Sequence, residues 1–448
     1  MLLARFGFRS LWLCSLITGG RCRLHVQELL QASPPPSAEL CPTQANPFSN
    51  PLVEHTCIAE NLLQSSYRDN LAGSPSTDAS PSSKSACIAA PASLLEYCIY
   101  TFPAFANGRG ISILASNESI AAVEDAIHAN PAPLVSSDAS QPPQFFEQEI
   151  AGRGKGLICN STITRGSLIL ASTPVFLIQE SAMRHLPETE RLSLQREAVS
   201  RLPRRSQSLF YDLAGHFGVD ETEDVLLTNG FSAAVGKSQH GFGIVVPEAA
   251  RLNHDCRPNA RFAFDRTSLT HRVHATRAIH PGDEITVSYI DGKQDFAARQ
   301  AVIHAHWGFQ CRCSLCSGPE SLRADSDARL ARIAVLREQL LPFDPERLRD
   351  DSLEKAAELV RLYEAESLSG ALAEAYMAAA LWHCFENREE ETRNWALKAV
   401  DHWLVWEGSG KENLDLMKRL GQYPKAQCRW AVLQLDKAGS YYRSNLDA

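Results

Sequence analysis

Short runs of apolar residues alternate with polar ones through the middle of the chain, and longer runs with a period near 3.6 take over toward its end. Tyr97–Phe102 reads as a strand. Gly108-Arg109-Gly110 followed by Ile111–Leu114 reads as a turn and a second strand. Ser119–His128 has helical spacing, with Ile120, Val123 and Ile127 on one face. A linker spans Pro131–Pro143. Strand signals then fill Phe145–Gln179, a polar helical stretch covers 186–226, and further strands are expected at 242–246, 260–264, 273–275 and 284–290. After Cys316 the composition shifts to Ala, Leu, Glu and Arg. Helical periodicity runs through 325–341, 352–366, 370–386, 389–406 and 411–420. Ala371, Ala375, Tyr376, Ala379, Trp382 and His383 share adjoining faces of one of these helices, and Trp395, Ala399, Trp403 and Trp406 line the next. Small residues at close contacts suggest helical hairpins of tetratricopeptide type, and a plain helical bundle is the other reading.

Composition adds the outer limits. The 448 residues allow two to four domains, and a net charge of −8 disfavours broad electrostatic binding to nucleic acid while suiting a lysine-rich protein partner. Residues 28–90 are rich in Pro and Ser and read as loop. In residues 1–27, Arg5 and Arg9 precede the apolar run Leu11–Ile17, as in a secretory signal, while four arginines without acids before Glu28 fit a mitochondrial presequence nearly as well. Outside this segment no apolar run is long enough to span a membrane. Six of the 13 cysteines scatter through the first hundred residues, compatible with disulfides or buried thiols, whereas Cys311, Cys313 and Cys316 cluster as metal ligands do.

Three further features carry chemistry. Arg153-Gly154-Lys155-Gly156 is a glycine turn between strands, able to approach a ligand closely or merely to turn the chain. Asn253-His254-Asp255-Cys256-Arg257-Pro258-Asn259 places two polar side chains together that need partners if buried. Gly282-Asp283-Glu284-Ile285-Thr286-Val287-Ser288-Tyr289 ends a strand on a tyrosine. Three clustered thiolates leave a tetrahedral zinc site one ligand short.

In this order the motifs resemble the SET-domain family of protein lysine methyltransferases, from about Phe145 to Ser317. The resemblance implies an α+β chain: a β-rich SET fold of small sheets with an interlocked crossing at 145–290, a zinc-bound segment at 291–318, and an all-α region at 319–448. These follow the signal- or presequence-like 1–27 and a Pro/Ser-rich 28–144 with a small ordered part near 97–128. It implies S-adenosylmethionine held by Arg153, Gly154, Lys155, Gly156, Asn253 and His254, with Phe309 stacking on adenine and Trp307 as a second candidate. Tyr289 becomes the catalytic residue, and Asn229 and Val287 line the substrate channel, valine leaving a roomier pocket. Cys256 becomes the fourth ligand of a structural zinc with Cys311, Cys313 and Cys316. Ordinary core packing for the aromatics, and a reduced or disulfide-bonded thiol cluster, are the plain alternatives.

The helical tail is similar to the SET-and-MYND subgroup, but residues 157–229 hold only Cys159, so the inserted MYND zinc finger is missing, as in fungal SET proteins. Asp255 stands where serine is common. The expected function is methyl transfer to lysine of a histone or other protein, with partners for the helical region. The alternatives are a catalytically silent SET fold acting as a binding module, or a secreted, disulfide-stabilised protein. Thiolate zinc and S-adenosylmethionine favour the nucleus or cytoplasm; the start of the chain argues otherwise.

Overall fold

The computed structural model describes residues 87–90, 95–128, 144–341, 351–404 and 411–428. The leader segment, most of the Pro/Ser-rich region, the linker and Trp406 lie outside the described residues. Those described fall into two compact units: one contains 87–289 and Ala301–Cys311, the other Ile290–Gln300 and the chain from Arg312 onward.

The first unit is built on three sheets. The largest has the order β1 (Ile88–Ala90), β2 (Leu95–Phe102), β3 (Ile111–Ser116), β7 (Phe176–Gln179), β9 (Gly241–Val245) and β8 (Phe231–Ala234). All neighbours are antiparallel except β3 and β7, which run parallel with Ile113 opposite Leu177. Side chains alternate across a strand, and β2 shows the result: Tyr97 and Ile99 enter one core, while Cys98, Tyr100 and Phe102 enter the core on the other face. The first of these cores is closed by helices α2 (Glu180–His185), α3 (Glu188–Ser200), α4 (Arg204–Tyr211) and α5 (Glu221–Asn229), through Leu194, Ala198, Phe210 and Leu226 among others. The second is closed by α1 (Asn117–His128), whose Ile120, Val123 and Ile127 face inward as their spacing predicts.

Two small sheets form the remainder of this unit. One orders β10 (Asn253–His254), β13 (Glu284–Val287), β5 (Gly154–Cys159) and β4 (Phe145–Ile150); the other orders β11 (Ala260–Asp265), β12 (Thr270–Ala275) and β6 (Leu168–Ser172). Leu157, Ile169, Leu252, Val273, Ile285 and Val287 pack between them. A disulfide joins Cys87 to Cys98.

Several elements escaped the periodicity, among them β1, at the end of the stretch read as loop, and the two-residue β10. β8 is a four-residue strand after a polar turn. Helix α6 (Phe296–Trp307) mixes alanine with Ile and Val and shows no clear apolar stripe. Its usable signal is the cap: the Asp295 carboxylate accepts the Ala298 amide at 2.7 Å, satisfying a donor that the first turn leaves open.

In the second unit, α7 (Glu320–Leu340), α8 (Ser352–Ala365), α9 (Leu372–Phe385), α10 (Glu389–Leu404) and α11 (Lys411–Gln422) each pack on the next in sequence. Leu336, Leu359, Tyr363, Ala379, Trp382 and Val400 lie in one core. The buried Glu366 carboxylate is satisfied by Arg329 at 2.6 Å and Ser326 at 2.8 Å. A second disulfide links Cys384 to Cys428. Among the described residues no helix is long and apolar enough to cross a membrane. The architecture is the expected α+β arrangement of small sheets followed by a helical region.

Candidate active site

Strands β10 and β13 pair in parallel, with Asn253 opposite Thr286 and His254 opposite Val287. This pairing brings the Asn-His block alongside the strand that leads into Tyr289, although 35 residues separate His254 from Tyr289. Asn259 braces the same junction. Its side-chain amide donates to the Glu284 carbonyl at 2.9 Å, and its carbonyl oxygen accepts the Thr286 amide at 2.9 Å. Asn259 is 4% exposed, so these bonds replace water that cannot reach it.

Glu284 is the hub of the polar cluster. Its Oε1 accepts from Asn253 Nδ2 at 2.8 Å, and its Oε2 pairs with Arg153 at 2.7 Å. Arg153 also donates to the His254 carbonyl at 2.8 Å. Gly156 makes this closeness possible: a Cβ there would lie 2.5 Å from Ile150 Cδ1 and 2.8 Å from both Asn253 Nδ2 and Glu284 Oε1. Gly154 serves differently, with φ of +67° and open space around it. Lys155 turns away from the hub, to Asp212 at 2.8 Å and Glu147 at 3.2 Å.

His254 is 3% exposed, and its ring joins two parts of the site. A backbone amide can only donate, so the 3.0 Å contact from the Tyr289 amide makes Nδ1 the acceptor. In the neutral ring the proton then sits on Nε2, which lies 3.4 Å from the Cys256 sulfur. The Cys256 sulfur is then the acceptor of that proton.

The Cys256 and Cys311 sulfurs are 3.8 Å apart, and the ligand atoms of Cys256, Cys311, Cys313 and Cys316 all lie within 4.8 Å of one another. All four are buried, unbridged cysteines. Four thiols drawn together without disulfides are the donor set of a closed tetrahedral zinc site, so the residues fit that metal. Such a site would leave no position for substrate.

Tyr289 packs against the core of the small sheets and donates from its hydroxyl to the Leu252 carbonyl at 2.7 Å. Burial pushes its phenol well above the ordinary range; Arg153 opposes this and Glu284 adds to it. The group is therefore a neutral phenol whose proton is already committed, leaving its oxygen lone pairs as acceptors. Trp307 tilts against Tyr289 with ring centroids 5.1 Å apart and donates to the Thr228 carbonyl at 3.1 Å. Phe309 is exposed, at 36%. Val287 is buried in the core between the small sheets. Asn229 ends α5 and caps its own neighbourhood, donating to the Ala214 and Val225 carbonyls at 2.7 and 2.9 Å.

Sequence reasoning overlooked Glu284 and the bracing role of Asn259. Both stood inside motifs visible in the sequence, but their partners lie far along the chain, Arg153 among them, and leave no trace in local pattern.

The SET domain profile matches residues 154–290. The chain carries a SET domain. It is 31% identical over 186 residues to histone-lysine N-methyltransferase set5 of Schizosaccharomyces pombe, covering 41% of this chain and 54% of that one. It is also 34% identical over 85 residues to a SET and MYND domain-containing protein of Dictyostelium discoideum, covering 19% and 24%. Mouse N-lysine methyltransferase SMYD2 is 31% identical over 101 residues, covering 22% and 23%. The chain thus spans about half the length of set5 and less of the others. The SET match starts at the second glycine-turn residue, Gly154, and ends just past Tyr289, so it encloses the whole Asn253–Glu284–Tyr289 cluster.

Proposed function

We propose that the protein is an S-adenosylmethionine-dependent methyltransferase acting on lysine side chains of proteins. Bound S-adenosylmethionine supplies an activated methyl group on a sulfonium. Asn253, the Gly154–Gly156 turn and Arg153 are the groups that would hold its amino-acid end, with His254 contributing through its backbone. Trp307 and Phe309 offer aromatic faces for the adenine. The parallel pairing of β10 with β13 carries this reading, because it sets the Asn-His pair and the Tyr289 hydroxyl in one fixed frame.

Within that frame each residue has a definable task. The Tyr289 oxygen, with its own proton held by Leu252, accepts an N–H from the target amine and aims the nitrogen lone pair at the methyl. Its raised pKa keeps it neutral, so it orients the amine and does not act as base. The amine must arrive unprotonated; desolvation in a narrow channel and a neighbouring positive charge both lower a lysine pKa. Fixing the two reactants in line supplies much of the acceleration. A zinc held by the four thiolates would be structural, fixing the chain around Cys311–Cys316, and would take no part in transfer.

The net charge of −8 suits a basic protein substrate. Because set5 is named for histone lysine, purified core histones are the first acceptor to offer. The test is release of S-adenosylhomocysteine by wild type and Tyr289→Phe. We expect Tyr289→Phe to lower turnover by about 100-fold, the effect of a misaimed reactant. Its S-adenosylhomocysteine affinity should stay within about twofold. A zinc-loaded protein that fails to bind S-adenosylmethionine by calorimetry would refute the proposal in favour of a silent binding module.

A further inference from the structure

The SET profile begins at Gly154, yet one side chain well before it reaches the underside of the site. Arg109 lies in the turn between β2 and β3. Its guanidinium grips the Glu248 carboxylate with both forks, at 2.7 and 2.6 Å, and the Ser172 hydroxyl donates to the same carboxylate at 2.7 Å. Bidentate pairing fixes orientation as well as distance. Burial would raise the Glu248 carboxyl, but the bonded and charged Arg109 beside it holds it below its ordinary value.

The turn that presents Arg109 is stiff. Ala106 and Asn107 adopt φ of 53° and 57°, in the left-handed region that non-glycine residues rarely enter. The surroundings hold it there. The Arg109 carbonyl accepts from the Ser206 hydroxyl on α4, and a Cβ on Gly110 would sit 2.5 Å from Pro203. Backbone strain kept in place by its neighbours is a reason to look for function.

From Glu248 the path to the reacting groups is short. Ala249–Arg251 forms a single 3-10 turn, closed by the Leu252 amide to the Ala249 carbonyl at 3.1 Å. The next carbonyl, Leu252, accepts the Tyr289 hydroxyl, and the next side chain, Asn253, bonds Glu284. A shift of Glu248 therefore moves both the acceptor that aims Tyr289 and the amide of the Asn-His pair.

We propose that Arg109 is a positioning residue for methyl transfer: through Glu248 it sets the turn that delivers the Leu252 carbonyl and Asn253 to the site. The transfer itself rests on the function proposed above. Strands β1–β3, which precede the SET match, would then be a working part of the enzyme.

The test uses the full chain and compares Arg109→Ala, Arg109→Lys and Glu248→Gln with a matched ion pair. Arg191 grips Glu223 with two bonds, at 2.7 and 3.0 Å, in the same unit; Glu223 lies in the first turn of α5, so this pair braces that helix and makes no bond to the 248–253 turn. Measurements are the unfolding midpoint, S-adenosylhomocysteine Kd, and kcat and KM on core histones below every variant's transition. Arg109→Ala should lower kcat by about 10- to 100-fold with histone KM unchanged, as small misplacements do. It should also weaken S-adenosylhomocysteine binding by several-fold. Arg109→Lys should fall between, since lysine keeps the charge without the fork. Arg191→Ala should lower the midpoint and leave kcat and Kd alone. If Arg109→Ala does not fold, Glu248→Gln carries the same expectations. The inference is overturned if folded Arg109→Ala and Glu248→Gln match Arg191→Ala in kcat and Kd. The binding arm needs no methyl acceptor, so it decides the point even where wild type leaves histones unmethylated. A wild type that binds S-adenosylhomocysteine but methylates no protein would instead sink the proposed function alone.

Discussion

Gly154 and Gly156 sit two residues apart in one turn, yet alanine at each should fail for a different reason. Gly156→Ala meets no backbone penalty peculiar to glycine. Its Cβ, however, would lie 2.5 Å from Ile150 Cδ1 and 2.8 Å from Asn253 Nδ2 and Glu284 Oε1. Ordinary contact needs several tenths of an ångström more at all three. Ile150 can give at its tip, but Asn253 and Glu284 are bonded to each other at 2.8 Å and can retreat only by parting. Overpacking of this kind costs about 1–3 kcal/mol. Weakening a hydrogen bond to a charged group adds about 1.5–3 kcal/mol. The sum is about 2.5–6 kcal/mol, with the damage centred on Asn253. Gly154→Ala has open space but φ of +67°, so its cost is the left-handed backbone, about 1–2 kcal/mol.

The assay is chemical unfolding alongside titration with S-adenosylhomocysteine. We expect Gly156→Ala to lose at least about tenfold in affinity, about 1.4 kcal/mol. Gly154→Ala should lose stability with a smaller loss of binding. Gly156→Ala combined with Ile150→Val should recover part of the stability and little of the binding, because only the Ile150 overlap is relieved. The reverse pattern, with Gly154→Ala losing the ligand and Gly156→Ala keeping it, would refute this account. It would mean that the turn acts by direct backbone contact with the cofactor rather than through Asn253 and Glu284.

Replacing Cys256 with Ser should remove zinc from the purified protein, measured by elemental analysis, and weaken S-adenosylhomocysteine binding with it; unchanged zinc content would separate Cys256 from the cluster. Asn259→Ala strands the Thr286 amide and the Glu284 carbonyl, each worth about 1–3 kcal/mol when left unpaired in the interior, so the urea midpoint should fall by the equivalent of about 2–6 kcal/mol. The folded-state pKa of Glu248 lies below its ordinary 4.5, so its pair with Arg109 contributes fully above about pH 4.5 and fades as pH falls through the lower folded value. Acid unfolding of Arg109→Ala should accordingly be less steep than that of wild type over this window.

Elements with a long, regular pattern were legible in advance. Helix α1 and the helices from α7 onward announce themselves because one face of each must be apolar to reach a core, and β2, β3 and β9 because short apolar runs bounded by turns leave few other options. Helix α6 was not legible, since alanine suits either face and only the Asp295 cap marks its start. In the site, the residue types were legible and the partnerships were not. Asn253, Cys256 and Tyr289 stand out as polar or reactive groups in tight motifs. That Glu284 ties Asn253 to Arg153, or that Arg109 grips Glu248 across 139 residues, depends on which strands pair, and pairing is decided by the whole sheet. β3 shows this most clearly: its own pattern says strand, but nothing in it says that its neighbour is β7.

His254 shows why the thiol cluster matters to chemistry that no zinc need touch. Its ring has two nitrogens and both are spoken for, Nδ1 by the Tyr289 amide and Nε2 by the Cys256 sulfur. A metal that fixes Cys256 therefore fixes the ring, and the ring fixes the backbone at Tyr289. The Tyr289 hydroxyl is tethered separately, to Leu252, whose position depends on the Glu248 turn. The same tyrosine is thus held at its backbone from the thiol side and at its hydroxyl from the Arg109 side. Loosening either end leaves the other anchored, so each perturbation alone should misaim the phenol without releasing it. Losses from Cys256→Ser and Arg109→Ala should combine to more than the product of their separate effects on kcat, because only the double change releases both ends of the side chain.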